Sequence, residues 1–210
     1  MRSPNGSDRT VEPRQARARA TRAALLAAVE RVCVREGADA VTTTRIAAET
    51  GASVGTIYRY FADREALLLA AYDGTVTRIV RRCGQALDTL DAGLDVHRAA
   101  RRVLALYLEA AEAEPAHAPL LAAMRALRPI AQDQGGNDEV SVAGDLLAPF
   151  LARYAGGPPA PERLRFMAVL LGTLVDLYLV APEPADRAAL RGEIEAHMLL
   201  ALERALAGDG

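Results

Sequence analysis

An all-α fold is what this sequence predicts. Apolar residues recur every three to four positions along most of its length, no stretch alternates with a strand's period of two, and each break carries proline, glycine or a capping residue. With 210 residues, 51% apolar and only 4% aromatic, the chain suits one large helical domain with a smaller one attached. The expected organisation is a disordered basic arm over residues 1–13, a three-helix amino-terminal domain over 14–64 with a helix-turn-helix, and a larger helical domain over 65–210. That makes about nine helices.

The amino-terminal elements follow one by one. An alanine-rich first helix, with Ala27 and Ala28, ends before Gly37. Thr42 then offers a hydroxyl to the free amides of a new first turn, and Val41 before it with Ile46 inside it has the spacing of a hydrophobic staple. Ile46 and Ala47 point inward while Arg45 and Glu49 face water. Gly51 supplies the residue that tolerates positive φ best. Ser53 caps the next helix, in which Val54, Gly55, Thr56, Tyr58, Arg59 and Tyr60 share one segment of roughly 12 Å, about the width of a DNA major groove. Gly55 lets a backbone come close, Thr56 offers a hydroxyl and a methyl, Tyr58 and Tyr60 can reach phosphate oxygens, and Arg59 is a cation. Ile57 and Phe61 are left for the core. Asp63 caps a longer helix with Arg64 in its first turn, where amides and a cation meet an anion.

From Thr21 to about Tyr72 these residues resemble the TetR (tetracycline-repressor-like) family of bacterial transcription factors. The resemblance is carried by Ala27, Ala28, Gly37, Thr42, Ile46, Ala47 and Gly51, and then by Ser53, Gly55, Ile57, Tyr58, Phe61, Glu65 and Leu67. It covers about a quarter of the chain. Cys33 and Ala38 stand where the family usually has aromatic residues, and Arg64 replaces the usual lysine while keeping its charge and adding a planar fork suited to phosphate. The resemblance implies a homodimer that binds a palindromic double-stranded DNA operator, and a carboxy-terminal domain that binds an effector and dimerises.

Charge agrees with that division. Residues 1–64 hold eleven arginines against seven acidic residues, a balance of +4, whereas 65–210 hold fourteen against twenty, −6. There is no lysine. Arg9, Arg14, Arg17, Arg19 and Arg22 can approach phosphates or place an arm in the minor groove, with a solvated tail the equal alternative for Arg9 and Arg14. No apolar leader opens the chain, and its most apolar run, Phe166 to Ala181, is too short to span a bilayer and contains Asp176, so a cytoplasmic protein without a membrane partner is expected. Cys33 and Cys83 read as buried free thiols.

Downstream, Asp63 to about Leu87 reads as a helix joining the two domains, with Leu67, Leu68, Ala71, Ile79, Val80 and Cys83 inward. Further helices are expected from Asp95 to about Ala113, Pro115 to Leu127, Asn137 to Tyr154, Pro161 to Ala181 and Pro184 to Ala207. Gln132 to Asp138 and Gly156 to Pro161 read as loops, and the last few residues as disordered. The helix beginning at Pro161 is apolar almost all round, with Leu170, Leu174, Leu177 and Tyr178 among its residues, and Gly172 permits close approach. The final helix has a stripe of Leu190, Ile194, Met198 and Leu202. A four-helix packing of these two helices with a second copy would bury both, and the resemblance favours it over a monomeric core.

Tyr107, Met124, Phe150, Tyr154, Met167 and Asp176 are the polar or polarisable residues on otherwise aliphatic helices, and they are the expected lining of an effector pocket. Taken singly, each reads more readily as ordinary core or surface. Arg125 and Arg128 can hold an acidic ligand, but a solvated helix face is the preferred reading. His97, His117 and His197 lie on separate helices without ligand spacing, so neither a metal nor a cofactor is expected.

The reading is a homodimeric, effector-released repressor, not an enzyme, in which Thr43, Thr44, Arg45, Ser53, Val54, Gly55, Thr56, Tyr58, Arg59, Tyr60 and Arg64 meet DNA. Arg59 and Thr44 are the base-contact candidates; the tyrosines and Arg64 are those for phosphate. An activator of the same fold, an all-helical enzyme with a DNA-binding appendage and a sequence-blind architectural protein are the alternatives. Scattered histidines argue against the enzyme, and the acidic carboxy-terminal part against the architectural protein.

Overall fold

The computed structural model describes residues 11–127, 141–157 and 160–207, with side chains from residue 14 onward. Expectations for Arg9, for the Gln132–Asp138 loop, for Arg128, for most of residues 1–13 and for the last three residues lie outside this range. The described residues are helical, with short connections: α1 (Val11–Glu36), a 3-10 turn (Ala38–Ala40), α2 (Thr43–Thr50), α3 (Val54–Tyr58), α4 (Arg64–Thr89), α5 (Val96–Glu112), α6 (His117–Leu127), a π turn (Ala143–Leu147) running into α7 (Ala148–Tyr154), α8 (Pro161–Val180) and α9 (Pro184–Leu206). Two compact units divide the chain after Ala71, inside α4.

In the first unit, α1 begins at Val11, so its backbone takes in the last three residues of the expected arm. Leu25, Ala28, Val29, Val32 and Cys33 of α1 form a buried stripe with Val41, Ile46, Ile57, Phe61, Leu67 and Leu68. Val41 and Ile46 are both fully buried, as a staple requires. The small core is aliphatic apart from Phe61 and Cys33, and burial pushes the Cys33 thiol up to about 11. That thiol is inert at neutral pH.

In the second unit, α8 and α9 pack along each other, α6 lies against α8, and α5 meets both α8 and α9. Asp95 caps α5 by accepting from the Arg98 amide at 2.9 Å, a bond that lowers its carboxyl pKa. Arg153 of α7 donates to the carbonyls of Leu87 (3.0 Å) and Leu90 (2.5 Å), and Tyr154 donates to that of Asp91 (3.0 Å). These bonds fasten α7 to the end of α4 and the connection that follows it. A buried polar pair ties α4 to α6. The Thr75 hydroxyl donates to the Tyr72 carbonyl at 2.7 Å and lies 2.7 Å from His117 Nδ1, so the imidazole carries its proton on Nδ1 and donates it to Thr75.

Two helix starts differ from the sequence reading. The helix expected from Pro115 begins at His117, because the His117 amide closes a tight turn onto Glu114 and Ala116 becomes the first residue to accept a helical bond. Of the helix expected from Asn137, the part before Ser141 lies outside the described residues. The rest opens as a π turn before continuing as α7. Pro149 has no N–H to give the Asp145 carbonyl, and the wider turn falls where that bond is missing. Ser141 and Asp145 cap one another around it: Asp145 accepts from the Ser141 amide at 2.6 Å, and Ser141 Oγ from the Gly144 amide at 2.9 Å.

Candidate functional site

The turn between α2 and α3 forms as its residues dictate. Thr42 caps α2 by accepting from the Arg45 amide at 3.0 Å, Gly51 ends it in the left-handed region at φ 69°, and Ser53 caps α3 by accepting from the Thr56 amide at 3.1 Å. Helix α3 is shorter than expected: it closes at Tyr58, and the Tyr60 amide turns back onto the Ile57 carbonyl three residues earlier. Ile57 and Phe61 are buried. Their partners on the other side stay in solvent: Tyr58 is 53% exposed, Gly55 and Arg59 are exposed, and Val54, Thr56 and Tyr60 are partly so. The Arg59 guanidinium lies 5.2 Å over the Tyr60 ring, which holds the cation beside the phenol. The Thr56 hydroxyl shares a 2.9 Å hydrogen bond with Ser53 Oγ. Thr44 and Ser53 are exposed and Thr43 is partly covered.

Two of the expected DNA contacts are committed within the protein. The Arg64 Nε donates to the Val41 carbonyl at 2.6 Å and Nη2 to the Ala38 carbonyl at 2.8 Å, with Asp39 3.8 Å away. Its planar fork closes the 3-10 turn onto the start of α4, where a lysine has only a point charge to offer. Arg45 Nη2 lies 2.7 Å from Glu36, in a chain of charges that clamps α1 to α2: Arg35 pairs with both Glu36 and Glu49, and Arg31 reaches Glu49 at 3.8 Å. The Arg35 guanidinium beside Glu36 and Glu49 lowers the pKa of both carboxyls.

The second unit contains a cavity of about 690 Å³, counted out to its open side, between α5, the π turn and α7, α8 and α9. Of the residues expected there, Tyr107, Phe150 and Met167 line it. Met124 does not, being buried in the α6 core, and Tyr154 is drawn to the α4–α5 connection by its bond to Asp91. Asp176 is ion-paired with Arg125 of α6. The cavity is completed by small and aliphatic residues that carried no chemical flag in the sequence, among them Ala100, Val103, Leu171, Gly172 and Val175. Their only legible signal was small residues on facing helices.

Met198 and Leu202, expected at an interface between copies, also line this cavity. Ile194 is fully buried inside the chain, and Tyr178 is turned in to donate to Glu112 at 2.6 Å. These four leave almost nothing for a second subunit to cover, because α5 and α6 already occupy that side of α8 and α9. The other face of α8 is bare: Phe166 is 64% exposed and Leu177 49%, with Val169 and Val180 between and beyond them, and Leu200 of α9 is similarly open. Leu170, Leu174 and Leu190 are half-buried.

Residues 25–71 match the family model of bacterial regulatory proteins, tetR family. That segment lies within the amino-terminal unit and takes in the capped α2–turn–α3 arrangement. Solved structures with the same fold as most of the chain include a TetR-family transcriptional regulator from Streptomyces coelicolor (21% identity, 88% of this chain and 99% of that one, TM-score 0.62), the TetR family repressor AlkX from Dietzia sp. strain DQ12-45-1b (16%, 88% and 96%, 0.60) and a putative tetR family transcription regulator from Shewanella sp. PV-4 (21%, 86% and 96%, 0.55). No curated protein matches the sequence. The described residues share the all-α fold of these regulators, and the family match itself is confined to residues 25–71.

Among the described residues, no group of histidine, cysteine and carboxylate side chains can hold a metal, and no helix is long and apolar enough to cross a membrane. Sequence reasoning missed two arginine contacts of the amino-terminal unit, Arg59 on Tyr60 and Arg22 at 5.5 Å over Phe61. An arginine next to or across from an aromatic ring is a weak signal until the backbone turns are known.

Proposed function

We propose that the protein is a homodimeric repressor that binds a palindromic operator and leaves it when a small molecule enters the cavity of the second unit. Thr44, Gly55, Thr56, Tyr58, Arg59 and Tyr60 meet the DNA, with Arg59 and Thr44 reading base edges and the tyrosines holding phosphates. Arg45 and Arg64 support this surface from within. The observation that carries the reading is the short capped α3, whose apolar side is spent on the core while Tyr58 and Arg59 stand in solvent on a helix-turn-helix of the TetR family.

One five-residue helix contacts few base pairs, so specificity needs two of them. A two-fold axis then puts half-sites ~34 to 36 Å apart, one turn of the duplex. The bare stripe of Phe166, Val169, Leu177 and Val180 is the proposed pairing face. The cavity accounts for release: an effector that favours a different arrangement of the second unit lowers operator affinity by a coupling energy of roughly 1 to 3 kcal/mol.

Fluorescence anisotropy with DNA flanking the protein's own coding region tests this. Saturable binding that survives competitor DNA, with two chains per duplex and reversal by a compound from a small-molecule panel, is expected. Equal affinity for every duplex would overturn the repressor reading.

A further inference from the structure

We infer that the cavity takes an uncharged, mainly hydrocarbon molecule carrying one hydrogen-bond acceptor, which the Tyr107 hydroxyl holds. The inference rests on the effector reading above and narrows it to a chemical class. Of the fourteen side chains around the cavity, Tyr107 alone carries an oxygen, and none is cationic or anionic. The rest are hydrocarbon apart from the thioethers of Met167 and Met198. The hollow is open on one side, and its walls are almost wholly apolar, as in sites that take apolar small molecules. Gly172 of α8 borders it without a side chain, and a Cβ there would meet nothing within 4 Å.

Tyr107 sits deep in the helical layer, yet the open volume of the cavity reaches it. Its hydroxyl has no hydrogen-bond partner among the described residues, so it has a proton to offer. Burial, and then the negative charge of Asp176, raise its pKa, so it remains a donor at any physiological pH. A carboxylate entering this cavity would lose its water without gaining a counter-charge, at a cost on the order of a thousandfold in affinity relative to the neutral analogue.

Displacement of the apolar dye Nile red from the full-length protein tests the class. The competitors are 2-octanone, 2-decanone, decanoate, decylammonium and 2-methyl-1-decene, the last of these matching 2-decanone in shape without its oxygen. The ketones should displace the dye, with about a fourfold gain per added methylene, and both ions should be at least a hundredfold weaker than 2-decanone. Tyr107→Phe should weaken the ketone about fivefold and leave the alkene unchanged, which also shows that the variant is folded. Gly172→Leu should abolish displaceable binding; dye that still binds it is on the exposed face of α8 and overturns the cavity assignment. Decanoate or decylammonium competing as well as 2-decanone overturns the uncharged class but leaves the effector reading standing. Should 2-decanone bind without releasing operator DNA, the class holds and the effector reading fails. A protein that binds neither dye nor ketone loses both.

Discussion

Nothing inside the protein asks for a glycine at position 55. A Cβ there would meet only Ser53 Oγ, at a comfortable 3.9 Å, and a glycine within a helix costs ~0.5 to 1 kcal/mol relative to alanine. Gly55→Ala is therefore expected to raise stability by about that amount in urea denaturation, while weakening operator binding because the backbone is held off the duplex. Arg64 has the opposite character. Its two bonds to carbonyls of the 3-10 turn make Arg64→Ala destabilising by ~1 to 3 kcal/mol, and the slope of log affinity against log salt should stay unchanged, since no phosphate contact is lost. A slope lower by about one would return Arg64 to the DNA. His117 gives a pH dependence. Burial lowers its pKa to about 4, with Glu114 opposing and Arg78 adding to the shift, so below the unfolded value of ~6.5 the unfolded chain takes up a proton that the folded one refuses. Stability is thus intact above that value and falls as pH drops toward 4, by about 2 kcal/mol between pH 7 and pH 5. Comparing urea midpoints of the protein and His117→Gln at those two pH values checks this; the variant should lose much less.

At the scale of elements, what the sequence revealed was whatever a side chain decides locally. Thr42, Ser53, Asp63 and Asp95 each cap within three residues of themselves, and Gly51 takes the positive φ of its turn, so the boundaries they set were readable in advance. The length of α3 was not. Periodicity through Tyr60 is compatible with another helical turn, and what ends the helix is the burial of Phe61, a tertiary demand. The π turn before α7 was not foreseen, because the single helix expected from Asn137 to Tyr154 made no allowance for Pro149 as a missing donor to Asp145. On α8 and α9 the sequence shows two apolar faces without saying which lies inward, and Met198 and Leu202, expected to face a second copy, line the cavity of their own chain. The exposed face of α8 can be tested directly. Leu177→Glu should leave the melting temperature nearly unaltered, since the side chain is half in solvent already, yet shift the protein to a monomer in sedimentation and abolish cooperative operator binding. Retention of the dimer would remove α8 from the interface.

Over the whole molecule, chemistry is divided along the chain. The segment 1–64 has a net charge of +4 and residues 65–210 one of −6. A basic end beside an acidic remainder steers a polyanion to one region and discourages indiscriminate coating of DNA. That much was legible from counting residues, as was the amino-terminal motif, because contacts to a fixed polymer such as DNA constrain residue type at fixed spacing. The cavity was hardly legible: an apolar hollow is made by what residues lack, as at Gly172 and Ala100, and a sequence advertises side chains better than space. Helix α8 meets both problems at once. Met167, Leu171 and Val175 wall the hollow on one side while Phe166 and Leu177 wait on the other, only about one helix diameter away. A guest pressing on the inner wall and a twin leaning on the outer one then share a single partition. By reciprocity, whatever the guest does to the twin's grip, the twin does to the guest's, so the apparent dissociation constant of the small molecule should drift as the protein is diluted from micromolar to nanomolar.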